Sequence, residues 1–89
     1  SEAVRTFLSD PDPNLRALAA ETLAALKDSG AVPVLKPLLA DPSPAVRSAA
    51  AFALGELGGK DDAAALATAL KDQSSWVQEE AKRAPEKMK

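Results

Sequence analysis

Apolar residues recur at intervals of three and four along most of this chain. Val46, Ala50, Ala53, Leu54 and Leu57 fall within about 100° of one another at helical spacing, as do Leu15, Ala19, Leu23 and Leu26. The two helices these sets predict open at Ser43-Pro44 and Asp12-Pro13. Each pairs a capping residue with a proline at the first helical position, where its missing N–H costs nothing. Asp28-Ser29-Gly30 and Gly58-Gly59 close them, glycine being cheap in the left-handed conformation that ends many helices. Behind each lies a shorter apolar set, Val32, Leu35 and Leu39 in one case and Ala63, Leu66 and Leu70 in the other. An interior proline costs about 3 kcal/mol, so Pro37 requires its helix to start late, at about Pro33 or Val34. No segment alternates with period two, and no strand is predicted.

The long-then-short pattern is a repeat. Asp10-Pro11-Asp12-Pro13-Asn14-Leu15-Arg16 returns as Asp41-Pro42-Ser43-Pro44-Ala45-Val46-Arg47, and Asp72 opens a third copy, a period of 31 residues. Residues 10–40 and 41–71 agree at ten positions, among them Leu23/Leu54, Leu26/Leu57, Leu35/Leu66 and Leu39/Leu70. Residues 1–9 align with 32–40, so the chain begins on a short helix with Val4, Phe7 and Leu8. It ends on a long one at about 75–84. The expected organisation is a single domain: a half unit at 1–9, units at 10–40 and 41–71, and a half unit at 72–89. That order gives six helices. Pro85, in the register of Leu23 and Leu54, is expected to end or kink the last one, leaving 85–89 poorly ordered.

The Asp41–Arg47 opening, the Ala49-Ala50-Ala51 run, Leu54-Gly55-Glu56-Leu57-Gly58 and the closing Leu66 and Leu70 resemble HEAT-like repeats of the phycobilisome-lyase type. The resemblance spans the whole chain. It implies an all-α, right-handed solenoid with the long A helices convex and the short B helices concave. It also implies that Asp10, Arg16, Asp41, Arg47 and Asp72 form a structural ladder between neighbouring units. Gln78 stands where a third arginine would be, so that ladder is expected to end there.

Composition narrows the chemistry. Among 89 residues there are twenty Ala and twelve Leu but no His, Cys, Ile or Tyr. A thiol nucleophile, an imidazole base and a zinc site of N/S ligands are therefore excluded. No disulfide framework is available, and cytosol is the default compartment. A net charge of -2 argues against a nucleic-acid binder, which needs a basic stripe. No run approaches the roughly 18 apolar residues of a membrane span. The first residue is Ser1 rather than Met, as in a processed product, an excised piece or a tag remnant.

Several features look chemical when read alone. The adjacent pairs Asp61-Asp62 and Glu79-Glu80 point about 100° apart on a helix, whereas general acid–base work needs two groups on one substrate. Gly55, Gly58 and Gly59 lie at the end of a helix rather than before one, so they cap and do not cradle phosphate. The basic tail (Lys82, Arg83, Lys87, Lys89) is offset by Glu79, Glu80 and Glu86. Phe52, on the polar side of its helix, is expected to pack on a neighbouring unit, with an exposed interface anchor as the alternative, and Trp76 to cover the open end of the stack. No catalytic residue, cofactor or metal ligand is expected.

What remains is a surface. With Val32, Leu35 and Leu39 inward, Pro33, Val34, Pro37 and Ala40 point out, followed one unit later by Ala64, Ala65, Thr68 and Lys71. The candidate partner-binding residues are Val34, Lys36, Pro37, Thr68 and Lys71, and the expected function is protein–protein interaction or scaffolding with an unknown protein. The resemblance leaves a bilin-lyase-like subunit as the alternative, with DNA binding by the concave face third. Both ends look unfinished: Ala3, Val4, Phe7 and Leu8 at one, Trp76, Val77 and Ala81 at the other. Weak head-to-tail self-association is therefore expected, unless flanking repeats cover the ends.

Overall fold

A computed structural model describes residues 2–58 and 63–87. Every described element is helical: α1 (Glu2–Thr6), α2 (Pro13–Ala25), α3 (Val32–Leu35), α4 (Pro44–Leu57), α5 (Ala63–Ala69) and α6 (Ser75–Lys87), with 3-10 turns at Phe7–Ser9, Ser29–Ala31 and Lys36–Ala40. The expected all-α stack of helical hairpins is what forms. The long helices α2, α4 and α6 lie side by side with α4 in the middle. The short segments form a second layer across them, α1 and its 3-10 turn on α2, α3 and its turn on α4, and α5 on α6. The body measures 29 × 25 × 16 Å.

The helix starts follow from the capping residues. Asp12 is extended (φ -84, ψ 116) and its carboxylate accepts the Asn14 N–H at 2.9 Å. Ser43 takes the same backbone conformation and its carbonyl accepts the Arg47 N–H at 3.0 Å, but its hydroxyl makes no capping bond.

The helix stops differ from expectation. No described glycine has positive φ; the left-handed residue is Lys27, at φ 57. The Lys27 N–H donates to the Ala24 carbonyl (3.1 Å) and the Asp28 N–H to the Leu23 carbonyl (3.0 Å), the paired bonds of a Schellman motif. Gly58 is extended (φ -78, ψ 160) and satisfies the Leu54 carbonyl at 2.7 Å. Gly59 and Asp61-Asp62 lie outside the described residues. A left-handed Lys keeps a Cβ–carbonyl clash that glycine lacks. Lys27→Gly is therefore expected to stabilise by about 1 kcal/mol and to raise the Tm by roughly 4–8 °C. A thermal melt in which Lys27→Gly matches wild type would mean the clash is already relieved.

Prolines divide the short layer. In place of one late-starting helix over 33–40, the chain makes a 3-10 turn, the four residues of α3, and a second 3-10 turn. Pro33 and Pro37 each take the second position of their piece, where no intrahelical N–H is needed.

Leu23, Leu35, Leu54, Leu66, Val46 and Val77 are fully buried, and alanines fill the space between them. Along α4 the expected face is inward, with Leu57 half-buried. Three expected core positions are not in the core. Leu15 is 38% exposed because α2 is the first long helix and its outer flank carries only α1 and the turn after it. Leu26 (56% exposed) is the C-cap, where the chain leaves the helix. Leu70 (43% exposed) follows the end of α5, and Ala69 takes the buried place. Pro85 does not end the last helix, which runs to Lys87. The ring's φ of about -65° is itself helical, and so near the end only one backbone bond is forfeited. Residues 88–89 lie outside the described residues.

Candidate functional site

The conspicuous polar array sits where the loops meet the long helices. Arg16 clasps Asp41 with two parallel bonds, Nε to Oδ2 at 2.9 Å and Nη2 to Oδ1 at 3.0 Å. Arg47 does the same to Asp72 at 2.8 and 3.2 Å. The remaining nitrogen of each arginine turns back to its own loop. Arg16 Nη1 donates to the carbonyls of Asp10 (2.7 Å) and Pro11 (3.1 Å), and Arg47 Nη1 to those of Asp41 (2.8 Å) and Pro42 (3.2 Å). Each aspartate also fixes its own turn: Asp10, Asp41 and Asp72 accept the N–H of Asp12, Ser43 and Ser74. Each arginine thus ties one loop to the next, 25 residues on. Gln78 keeps only the backward half of this arrangement, donating to the Asp72 carbonyl.

A second clasp joins α1 to the loop after α2. Arg5 on α1 holds Asp28 through Nε to Oδ2 (3.0 Å) and Nη2 to Oδ1 (2.6 Å). One period on, these positions are Lys36 and Gly59, so the 31-residue register gave no sign of it. A Cβ on Gly30 would lie 2.8 Å from Arg5 Nη2, so glycine there makes room for the guanidinium.

These pairs predict an acid dependence. The Arg5 hydrogen bonds hold the Asp28 carboxyl well below the usual carboxylate range. Burial pushes Asp41 and Asp72 up, but bonds from Arg16 and Ser43, and from Arg47 and Ser74, outweigh it and leave both lowered. A carboxyl with a depressed folded-state pKa stabilises fully above its unfolded value, about 3.9, and loses that contribution as pH falls through the folded value. The chain has no His, the side chain whose ordinary value lies between about pH 5.5 and 8. The Tm is expected to be flat across that window and to fall progressively below about pH 5. A Tm already declining between pH 7 and 5.5 would contradict this assignment.

The outer face of the short layer is open. Pro33, Val34, Lys36, Pro37, Ala40, Ala64, Thr68 and Lys71 are all exposed, while Leu35 and Leu66 beneath them are buried. Thr68 and Lys71 come together with Leu39, Ala40 and Gln73 in a shallow depression of about 440 Å³ that reaches Arg47 and Asp72. Val34, Lys36 and Pro37 lie outside it, on α3 and the turn that follows.

The two ends are unlike. Phe7 is 49% and Leu18 56% exposed, and with Val4, Leu15, Ala19 and Thr22 they line an apolar groove of about 280 Å³. At the other end Val77 and Ala81 are buried against Ala69 and Leu39, so of the three apolar residues expected there only Trp76 is presented. At 69% exposed, Trp76 projects from the stack and covers little of it. Leu8, expected at the first end, is likewise buried. Phe52 is half-buried against the core and lines shallow seams with Glu21 on one side and Glu80 on the other, so it packs between units.

Among the described residues no three carboxylates gather as a metal site, and no helix is long and apolar enough to cross a membrane. Glu79 and Glu80 are engaged separately, by Lys82 at 3.4 Å and Arg83 at 3.6 Å. Comparison with curated proteins returns no match. A family comparison does: HEAT repeats match residues 1–84. With the stacked hairpins and the loop-to-loop clasps in view, that match covers nearly the whole fold, and the chain belongs to the HEAT repeat family.

Proposed function

We propose that the chain is a cytoplasmic, non-catalytic protein-binding module, with units at 10–40 and 41–71 flanked by half units, and that it binds through the outer face of its short layer. HEAT repeats commonly mediate protein–protein interaction. The observation that carries the reading to this face is its texture. Pro33, Val34, Pro37 and Ala40 are exposed and continue into Ala64 and Thr68, with Lys36 and Lys71 at the margins. Such a surface is smooth, apolar and stiffened by proline, so a partner orders few side chains in binding it. A photo-crosslinking residue placed at Val34 or Thr68 is expected to capture the same partner, whereas one at Glu56, on α4, captures none. Val34→Glu is expected to weaken binding of that partner at least tenfold with the Tm unchanged. Capture from Glu56 alone, or indifference to Val34→Glu, would move the site elsewhere.

The phycobilisome-lyase subclass would add a bilin. The grooves described above run from about 280 to 440 Å³, at the small end for an organic ligand, and are shallow. Added bilin is expected to leave its visible absorption band unshifted. Head-to-tail self-association lacks support at the C-terminal end. There Lys82, its side chain 61% exposed, stands in the register of Ala20 and Ala51, both fully buried between neighbouring helices.

A further inference from the structure

We propose that the N-terminal end of the stack docks an amphipathic helix from outside these 89 residues, one that carries arginine followed by small residues four and eight positions later. The argument goes beyond the short-layer surface and rests on a junction the protein forms twice. At the α2–α4 junction the arriving helix presents Arg16, Ala20 and Ala24, and at the α4–α6 junction Arg47, Ala51 and Gly55. In both, the arginine grips an aspartate at the foot of the next long helix, Asp41 or Asp72.

The receiving side of that junction is present a third time, without an occupant among the described residues. Asp10 is the equivalent aspartate, yet among the described residues its carboxylate accepts the Asp12 N–H alone, at 2.8 Å, and meets no guanidinium. Leu15 and Leu18 are 38% and 56% exposed, where Val46 and Ala49, one period on, are 0% and 4%. Phe7 joins them to form the apolar groove. A carboxylate beside an apolar groove, repeating an interface seen twice elsewhere, specifies charge and shape together.

A second copy of this chain does not meet the specification. Its two Arg-x3-small-x3-small helices are already used inside the fold, and α6 offers Gln78 and Lys82 at the matching positions. α6 therefore lacks the pattern that α2 and α4 present, whereas α2 keeps the receiving side of the junction.

The probe is a peptide of residues 10–27, which carries the required pattern, made helical by a side-chain crosslink between positions 21 and 25. Both positions are exposed on α2. It is expected to bind the intact protein saturably and to lose at least tenfold in affinity when its own arginine becomes glutamine. The protein variants Asp10→Asn, which keeps the turn acceptor but not the charge, and Leu18→Glu should each weaken binding at least tenfold while the Tm stays within about 2 °C. Absence of saturable binding overturns the proposal, as does binding that ignores Asp10→Asn. A concentration-dependent dimer, seen by sedimentation and abolished by Leu18→Glu, would also overturn it by naming a second copy as the occupant.

Discussion

Leu54→Ala is expected to destabilise the fold by about 3–4 kcal/mol and to lower the Tm by roughly 12–32 °C, with Leu23→Ala close behind. Both leucines have no exposed surface, occupy one register and belong to the same core cluster. Their setting keeps the cost away from the low end of the roughly 2–5 kcal/mol range for such truncations. Seven of the twelve buried residues of that cluster are alanines, Ala19, Ala20, Ala49, Ala51 and Ala53 among them, and a methyl group cannot swing into a vacated space. The cavity therefore stays open, and its walls lose dispersion contacts on every side. A domain of this size holds about 4–13 kcal/mol in total, so one such change removes a large fraction of it. Leu26→Ala, at a 56% exposed position, is the control and is expected to cost under about 1 kcal/mol. Urea unfolding with a common m-value decides the matter. A Leu54→Ala loss below about 1.5 kcal/mol would show that the helices close around the missing side chain.

That control also shows what the amino-acid pattern conveys and what it does not. Leu26 and Leu57 are identical residues in identical register, yet one caps its helix in the open and the other packs half-buried. Periodicity reports which positions share a helix face; it does not report where the helix stops. Stopping depended on the left-handed backbone of Lys27, which no residue-type preference indicates. Long-helix positions, the burial of Val46, Ala50, Leu54 and Leu66, and the outward turn of Val34 and Pro37 were legible because each is set by local spacing against one repeated neighbour. The open flank of Leu15 and Leu18 was harder to see, since the same face is buried one unit later. Exposure there is decided by the absence of a preceding helix among the described residues, not by the residues themselves. The Arg5–Asp28 clasp was invisible for a related reason: Lys36 and Gly59 stand one period on, so the repeat does not mark the pair.

The loop clasps supply the other large effect, and their ranking is the informative part. Asp41→Ala is expected to cost about 2 kcal/mol, because it removes both bonds from Arg16 and the acceptor for the Ser43 N–H. Side-chain exposure of 16% for Arg16 and 8% for Asp41 leaves little solvent to screen the pair, which sets it apart from an ordinary surface ion pair. Asp72→Ala should match it, having the same partners one unit on. Asp10→Ala should cost under about 1 kcal/mol, since it loses the Asp12 acceptor alone. A double-mutant cycle on Arg16 and Asp41 isolates the pairwise part, expected at about 1–2 kcal/mol at pH 7. That coupling should shrink as pH falls below about 4, because protonated Asp41 no longer holds a guanidinium in both oxygens. Equal losses at Asp10 and Asp41 would assign the stability to the aspartate turn that all three loops share. Unequal losses, with coupling that disappears in acid, assign it to the arginine that reaches from one unit to the next.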